Sequence, residues 1–307
     1  MAELASLALL DDRAVAWAEV GSVTYLLHQR YRYEYDGPVR DLRHRLVVLP
    51  PADHGEQHRV DHDLAVRGCR ARATLRSDRF GNTVVGVRAD TVSAAVEFES
   101  WAMVRRVGTG ATVATAASAA ADPGLLRPTR LTRADGALAA VARELAAPGG
   151  GPLAVAERAC TWTRSALTYR WGVTSVRTTA AEALAGGLGV CQDYAHVMLA
   201  VCRAAGVPAR YVSGHLVGEG GSHAWVEVVV PDPDPDAERP GATVAVAFDP
   251  THDRRAGWGY VTVAVGRDYS DVAPTSGRYE GTAAGRLTGY KRLGVVATEP
   301  ATGLVPA

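Results

Sequence analysis

Residues 189–194, Gly-Val-Cys-Gln-Asp-Tyr, place a cysteine where a glycine-rich approach gives way to apolar residues at three-to-four spacing. Cys191 therefore falls at or near the N-terminus of a helix predicted to run to about Ala205, with Gly206 and Pro208 as stop signals. At such a terminus unpaired backbone N–H groups and the positive end of the helix dipole favour a thiolate, the nucleophilic form of cysteine. The same N–H groups can hold an oxyanion. Considered alone, Cys191 has a plain alternative reading as an inert packed thiol, since free cysteine is among the most buried residue types. Cys202, in the apolar C-terminal turn of the same helix, is expected to be packing, and Cys160, inside another apolar helical segment, core filler.

Two further side chains shift the balance towards catalysis. In Gly-Gly-Ser-His-Ala-Trp-Val-Glu-Val, residues 220–228, alternation puts His223, Trp225 and Glu227 on one strand face and Ala224 and Val226 on the other. A histidine at the mouth of a strand can reach a helix N-terminus across a cleft and hold a thiolate as an ion pair. The next strand ends at Asp249, immediately before Pro250, a position suited to a carboxylate that orients the imidazole. His215 and the histidines at 44, 54, 58 and 62 are read as satisfied sheet residues, the last four on the surface.

The elements that must hold these groups fall into two halves. From about residue 22 to 107 apolar residues recur every second position, as in antiparallel sheet, with Phe-Gly-Asn at 80–82 as a hairpin turn in which Gly81 and Asn82 tolerate positive φ. After an Ala-rich stretch the period changes to 3.6, with helices over Arg-Ala-Asp-Gly-Ala-Leu-Ala and Pro-Leu-Ala-Val-Ala, and a third capped by Thr178 or Thr179. Lys plus Arg and Asp plus Glu both total 33, so bulk charge offers nothing to a nucleic acid or an anionic membrane, and only a local patch could do so. No apolar run reaches the ~20 residues of a spanning helix. The acidic start lacks the basic-then-apolar order of a secretory signal, so a cytoplasmic protein is expected.

The runs GVCQDYAHVMLAVCRAAGVPARYVSG, SHAWVEV, FDPTHD and VAVGRDYSDVAPTSG resemble the bacterial transglutaminase-like family, which is related in architecture to papain-type cysteine peptidases. The YRY strand and RFGN turn are similar to the β domain that precedes the catalytic core in many bacterial members; the resemblance spans about residues 23–290. It implies an α+β fold: an N-terminal antiparallel β-sandwich domain over residues 1–110, an Ala-rich linker over 111–132 and a transglutaminase-like core over 133–270. In that core, helices pack on an antiparallel sheet. A C-terminal extension over 271–307 adds a strand to one domain or the other. It further implies Cys191 as nucleophile, His223 as general base and acid, and Asp249 as the orienting residue.

The oxyanion donor stays open. The Cys191 N–H is the first choice, with Gln192, Trp171 and Trp225 as further oxyanion or substrate candidates. Asp193 reads as a first-turn acid and Tyr194 as packing. The segment PDPDPDAERPGAT lacks the Gly and Glu of a calcium loop, Ala237 and Thr243 standing in their places, and no close ligand pair in the catalytic half supports zinc. No metal and no cofactor are expected. The expected reaction is cleavage of a peptide or isopeptide amide through a thioester, with acyl transfer to an amine as the alternative and a non-catalytic peptide-binding module as the second. The expected partner is a peptide or protein substrate, not nucleic acid or a membrane.

Overall fold

The computed structural model describes residues 4, 6–108, 113–115, 122–232 and 243–301. The first half forms β1 (Val20–Tyr35), β2 (Val39–Leu49), β3 (Asp53–His54), β4 (Gln57–Arg67), β5 (Arg72–Ser77), β6 (Thr83–Val92) and β7 (Ala95–Val107). Alternation is explicit in β7, where Val96, Phe98, Ser100, Ala102 and Val104 are buried and their neighbours are not. Within the stretch expected to be a linker, Val113–Thr115 form β8. Then come α1 (Gly136–Ala146), α2 (Gly151–Ala166), β9 (Thr168–Tyr169), α3 (Ala180–Gly186), β10 (Leu188–Gly189) and α4 (Cys191–Ala204). The second sheet region follows as β11 (Ala209–Leu216), β12 (His223–Pro231), β13 (Thr243–Asp249), β14 (Arg254–Arg255) and β15 (Tyr260–Gly266). The chain closes with α5 (Tyr269–Val272), β16 (Thr275–Glu280) and β17 (Gly285–Pro300).

Two sheets, in the orders β17-β1-β7-β4-β3 and β16-β2-β6-β5, face each other around Tyr25, Leu27, Leu42, Leu46, Val85 and Phe98. The sandwich is thus closed by the C-terminal strands, β17 lying along β1 and β16 along β2, with the helical part inserted between the two contributions. In that part β14-β13-β12-β11-β15 form the central sheet and β8 pairs with β13. Helix α4 lies against this sheet with every residue from Gln192 to Arg203 buried, so it is the core of the layer and not an amphipathic cover. Arg203 is accommodated because its guanidinium donates to Leu125 O, Thr132 Oγ1, Ala209 O and Arg267 O at 2.7–3.1 Å, which ties residues 125–132 to the end of α4.

The sandwich meets the core at β15, the open edge of the central sheet. Asn82 Nδ2 donates to Val265 O at 2.7 Å and accepts at Oδ1 from Val265 N at 2.8 Å. Gln57 makes the same pair of bonds with Thr262, both at 2.8 Å. Each amide imitates a neighbouring strand, satisfying edge groups that burial would otherwise leave unpaired. Here the turn expectation needs correction. Gly81 adopts φ 83°, but Asn82 has no positive φ; it is present for its side chain, which the core binds. Two of the expected surface histidines are also corrected. His44 is buried beside Tyr33 and Phe98, and His54 Nε2 donates to the buried Glu227 at 2.9 Å. The Pro-Asp segment from 233 to 242 lies outside the described residues.

Candidate active site

Cys191 is the first residue of α4, as the change of period predicts. Val190 sits at the N-cap with extended φ and ψ but offers no side-chain acceptor. The helix start is instead fastened from the third position, where Asp193 Oδ2 accepts from Val190 N at 2.8 Å and from Thr174 Oγ1 at 2.6 Å. Gly189 leaves room for this carboxylate, since a Cβ there would lie 2.6 Å from Asp193 Cβ. Burial raises the proton affinity of Asp193, and its Oδ1 is buried without a hydrogen-bond partner. Strand β10 pairs in parallel with β9, which brings Tyr169 and Trp171 alongside the approach to the cysteine. Tyr169 is close enough for the charges of Cys191 and Glu219 to act on it.

His223 opens β12, its Nε2 hydrogen-bonded to Asp249 and its ring close enough to Cys191 for the thiol to raise its proton affinity. Nε2 donates to Asp249 Oδ2 at 2.8 Å, which leaves Nδ1 for the thiol; Glu219 Oε2 lies 3.5 Å from Nδ1. Asp249 ends β13 with no exposed surface. Its Oδ2 also accepts from His252 Nδ1 at 2.7 Å and Tyr260 Oη at 2.6 Å, and its Oδ1 from Thr251 N at 2.9 Å. Glu219 closes a ring, its Oε1 standing 3.4 Å from His252 Nε2. Burial alone would lower the proton affinity of His223, but the hydrogen bonds and charges of Asp249 and Cys191 outweigh it and raise the pKa to about 10. For Asp249 burial likewise opposes charge, and the donors around it hold the carboxyl well below the usual carboxylate range. The arrangement favours an imidazolium beside the Asp249 carboxylate.

The transglutaminase-like core model matches residues 139–236, and the model of the bacterial transglutaminase-like N-terminal region matches residues 25–105, together more than half of the chain. The chain belongs to the transglutaminase-like superfamily. An uncharacterized protein of Mycobacterium leprae is 39% identical over 170 residues, 52% of this chain and 56% of that protein. An uncharacterized protein of Mycobacterium tuberculosis is 38% identical over 121 residues, 36% and 37% of the two chains. The matched stretch thus spans about half, or little more than a third, of these relatives. A crystal structure of a candidate cysteine protease from Cytophaga hutchinsonii superposes with a TM-score of 0.71 over 91% of this chain and 92% of its own, at 22% identity, a likeness of fold.

In this transglutaminase-like chain the remaining expected site residues are dispersed. Gln192 donates its amide to Ser175 O at 3.3 Å and so braces the loop before α3. Trp225 is 1% exposed and packed edge-on against Tyr260, sealed beneath the site and out of reach of substrate, which corrects its candidacy. Trp171 is 79% exposed beside Tyr169, at the approach to the cysteine. Cys160 and Cys202 are buried, and burial pushes their thiols up, Cys202 to about 12. The donor atoms of His223, Asp249 and His252 lie within 4.8 Å of one another. Both imidazole nitrogens point at the same carboxylate oxygen, however, an arrangement made by hydrogen bonds and not a cradle for an ion.

Three residues at this site escape reading from sequence. Glu219 sits in a glycine-rich turn and His252 follows Asp249 by three, a spacing that is visible but carries no chemistry until the turn folds. The third, Lys291 on β17, donates to Ser222 Oγ at 3.0 Å, directly before His223. Cys191 is near enough for its charge to act on Lys291.

Proposed function

We propose that this chain is a cysteine-dependent hydrolase of peptide or isopeptide amides. The observation that carries this reading is His223, hydrogen-bonded to a buried Asp249 at 2.8 Å and close enough to Cys191, the first residue of α4, for the two to interact. The Cys191 thiolate attacks the amide carbonyl carbon, and the oxyanion forms against the backbone N–H at the start of α4, which has no partner within the helix. The His223 imidazolium gives its Nδ1 proton to the departing amine. The neutral ring then takes a proton from water as water attacks the thioester; collapse of the tetrahedral adduct breaks the C–S bond, releasing the carboxylic acid and restoring the thiolate–imidazolium pair. Asp249 keeps the Nε2–H in place throughout.

Water is favoured over an amine as acceptor because Lys291 places an ammonium at Ser222, directly before His223. A protonated amine approaching the thioester meets a like charge. Incubation with casein and a biotinylated primary amine tests the choice. Hydrolysis predicts new peptide termini without biotin, abolished in Cys191→Ala. Biotin incorporated into casein refutes hydrolysis in favour of transfer. Absence of both, with Cys191 no more reactive to iodoacetamide than a free thiol, leaves a binding module.

A further inference from the structure

Of the 33 Lys and Arg residues in the sequence, Lys291 is the sole lysine. It arrives from the far end of the chain on β17, opposite Gln29 of β1, and so belongs to the sandwich and not to the catalytic core. Its ammonium lies 5.6 Å from the centre of the Tyr31 ring and donates to Ser222 Oγ. An ammonium has three donors, and among the described residues no carboxylate stands within 4.0 Å of this one. The carboxylates around His223 are engaged with other groups: Glu219 faces His223 and His252, and Asp249 is saturated with donors. Burial works against the charge and the neighbouring Cys191 supports it. A half-buried cation without a carboxylate partner carries a desolvation penalty that an arriving carboxylate reduces. Lysine suits the place, because a compact point charge on a flexible stem can meet a carboxylate that approaches from the open side.

We propose that Lys291 is a substrate-binding residue that receives a carboxylate next to the scissile carbonyl, so that the enzyme acts on amides flanked by a free carboxylate. This deepens the hydrolase reading and rests on it. The anion is either an acidic side chain or a peptide's terminal carboxylate, which have the same chemistry towards an ammonium.

Iodoacetate and iodoacetamide test this without a known substrate. Both transfer their carbon to the Cys191 sulfur with loss of iodide and differ in the carboxylate. The expected ratio of iodoacetate to iodoacetamide rates falls by about five- to tenfold in Lys291→Met, with the iodoacetamide rate changed far less, and is largely kept in Lys291→Arg. In the wild type the ratio falls as salt is added. An unchanged ratio in a Lys291→Met protein that melts normally overturns the proposal. Equal slowing by both reagents also overturns it, because Lys291 then acts on the thiolate or the fold. A slow iodoacetamide rate in the wild type instead counts against the hydrolase reading, so the two failures are separate. Protection of Cys191 by acetyl-glutamate amide identifies a side-chain anion and by acetyl-glutamine free acid a terminal one. Protection by neither, at concentrations where both are abundant, overturns the assignment.

Discussion

Replacing Asp249 with asparagine keeps the shape of the side chain and removes the charge on which the histidine ring depends. Asp249 Oδ2 accepts from His223 Nε2 at 2.8 Å, His252 Nδ1 at 2.7 Å and Tyr260 Oη at 2.6 Å. His223 is raised from 6.5 to about 10, which at ~1.4 kcal/mol per pH unit is about 5 kcal/mol of net preference for the imidazolium. Burial opposes that preference, so Asp249 and Cys191 together supply more. With roughly half assigned to Asp249, Asp249→Asn removes ~2–3 kcal/mol, and the thiolate–imidazolium pair weakens by roughly 30- to 150-fold. The assay is intact-mass labelling with iodoacetamide across pH. At pH 6 the variant should label Cys191 more slowly by that factor, recovering only at alkaline pH where a thiol ionises unaided. The stability profile changes at both ends. The raised His223 contributes stability that is full below 6.5 and lost as pH rises through about 10. The depressed Asp249 contributes above 3.8 and loses its contribution as pH falls further. Both contributions shrink in the variant. A folded Asp249→Asn protein that labels at pH 6 within roughly threefold of wild type refutes the claim that Asp249 holds the imidazolium.

Other regions give independent tests. Asn82→Ala strips two hydrogen bonds from the buried β15 edge and should cost about 2–4 kcal/mol in denaturant unfolding; a loss below ~0.5 kcal/mol would mean the amide does not join sandwich to core. Glu227, buried with Arg210 at 2.6 Å and His54 at 2.9 Å, is held down to about 2. Glu227→Gln should therefore cost ~3–5 kcal/mol at neutral pH, and the deficit should close as pH falls from 4.5 towards about 2, as followed by thermal melts. A deficit independent of pH would show that the carboxylate charge is not what stabilises. In the native protein at pH 8, iodoacetamide should leave Cys160 and Cys202 unmodified, since both are buried and pushed up; peptide mapping that finds Cys202 labelled before unfolding contradicts the burial of α4.

What the sequence determined by itself is what short-range forces encode. The change from period 2 to period 3.6 separates sheet from helix, and the glycine approach followed by an apolar run starts α4 at Cys191. Thr179, Glu182 and Ala180–Gly186 show the same, as a capping box links residues three apart. Cys191, His223 and Asp249 are legible as the end of a helix and the ends of two strands because those positions follow from local pattern.

Only the tertiary structure decided which strands are neighbours. Apolar alternation marks a strand without naming its partner, so the return of β16 and β17 to β2 and β1 had no local signal. Asn82 was legible as a turn residue, but its partner Val265 is 183 positions away and sets its actual role. Likewise the ring of Glu219, His223, Asp249 and His252, and the arrival of Lys291 beside Ser222, depend on packing that joins distant segments. Helix and turn bonds reach at most four residues along the chain, whereas sheet pairing and buried polar pairs are chosen by the whole core that must close over them.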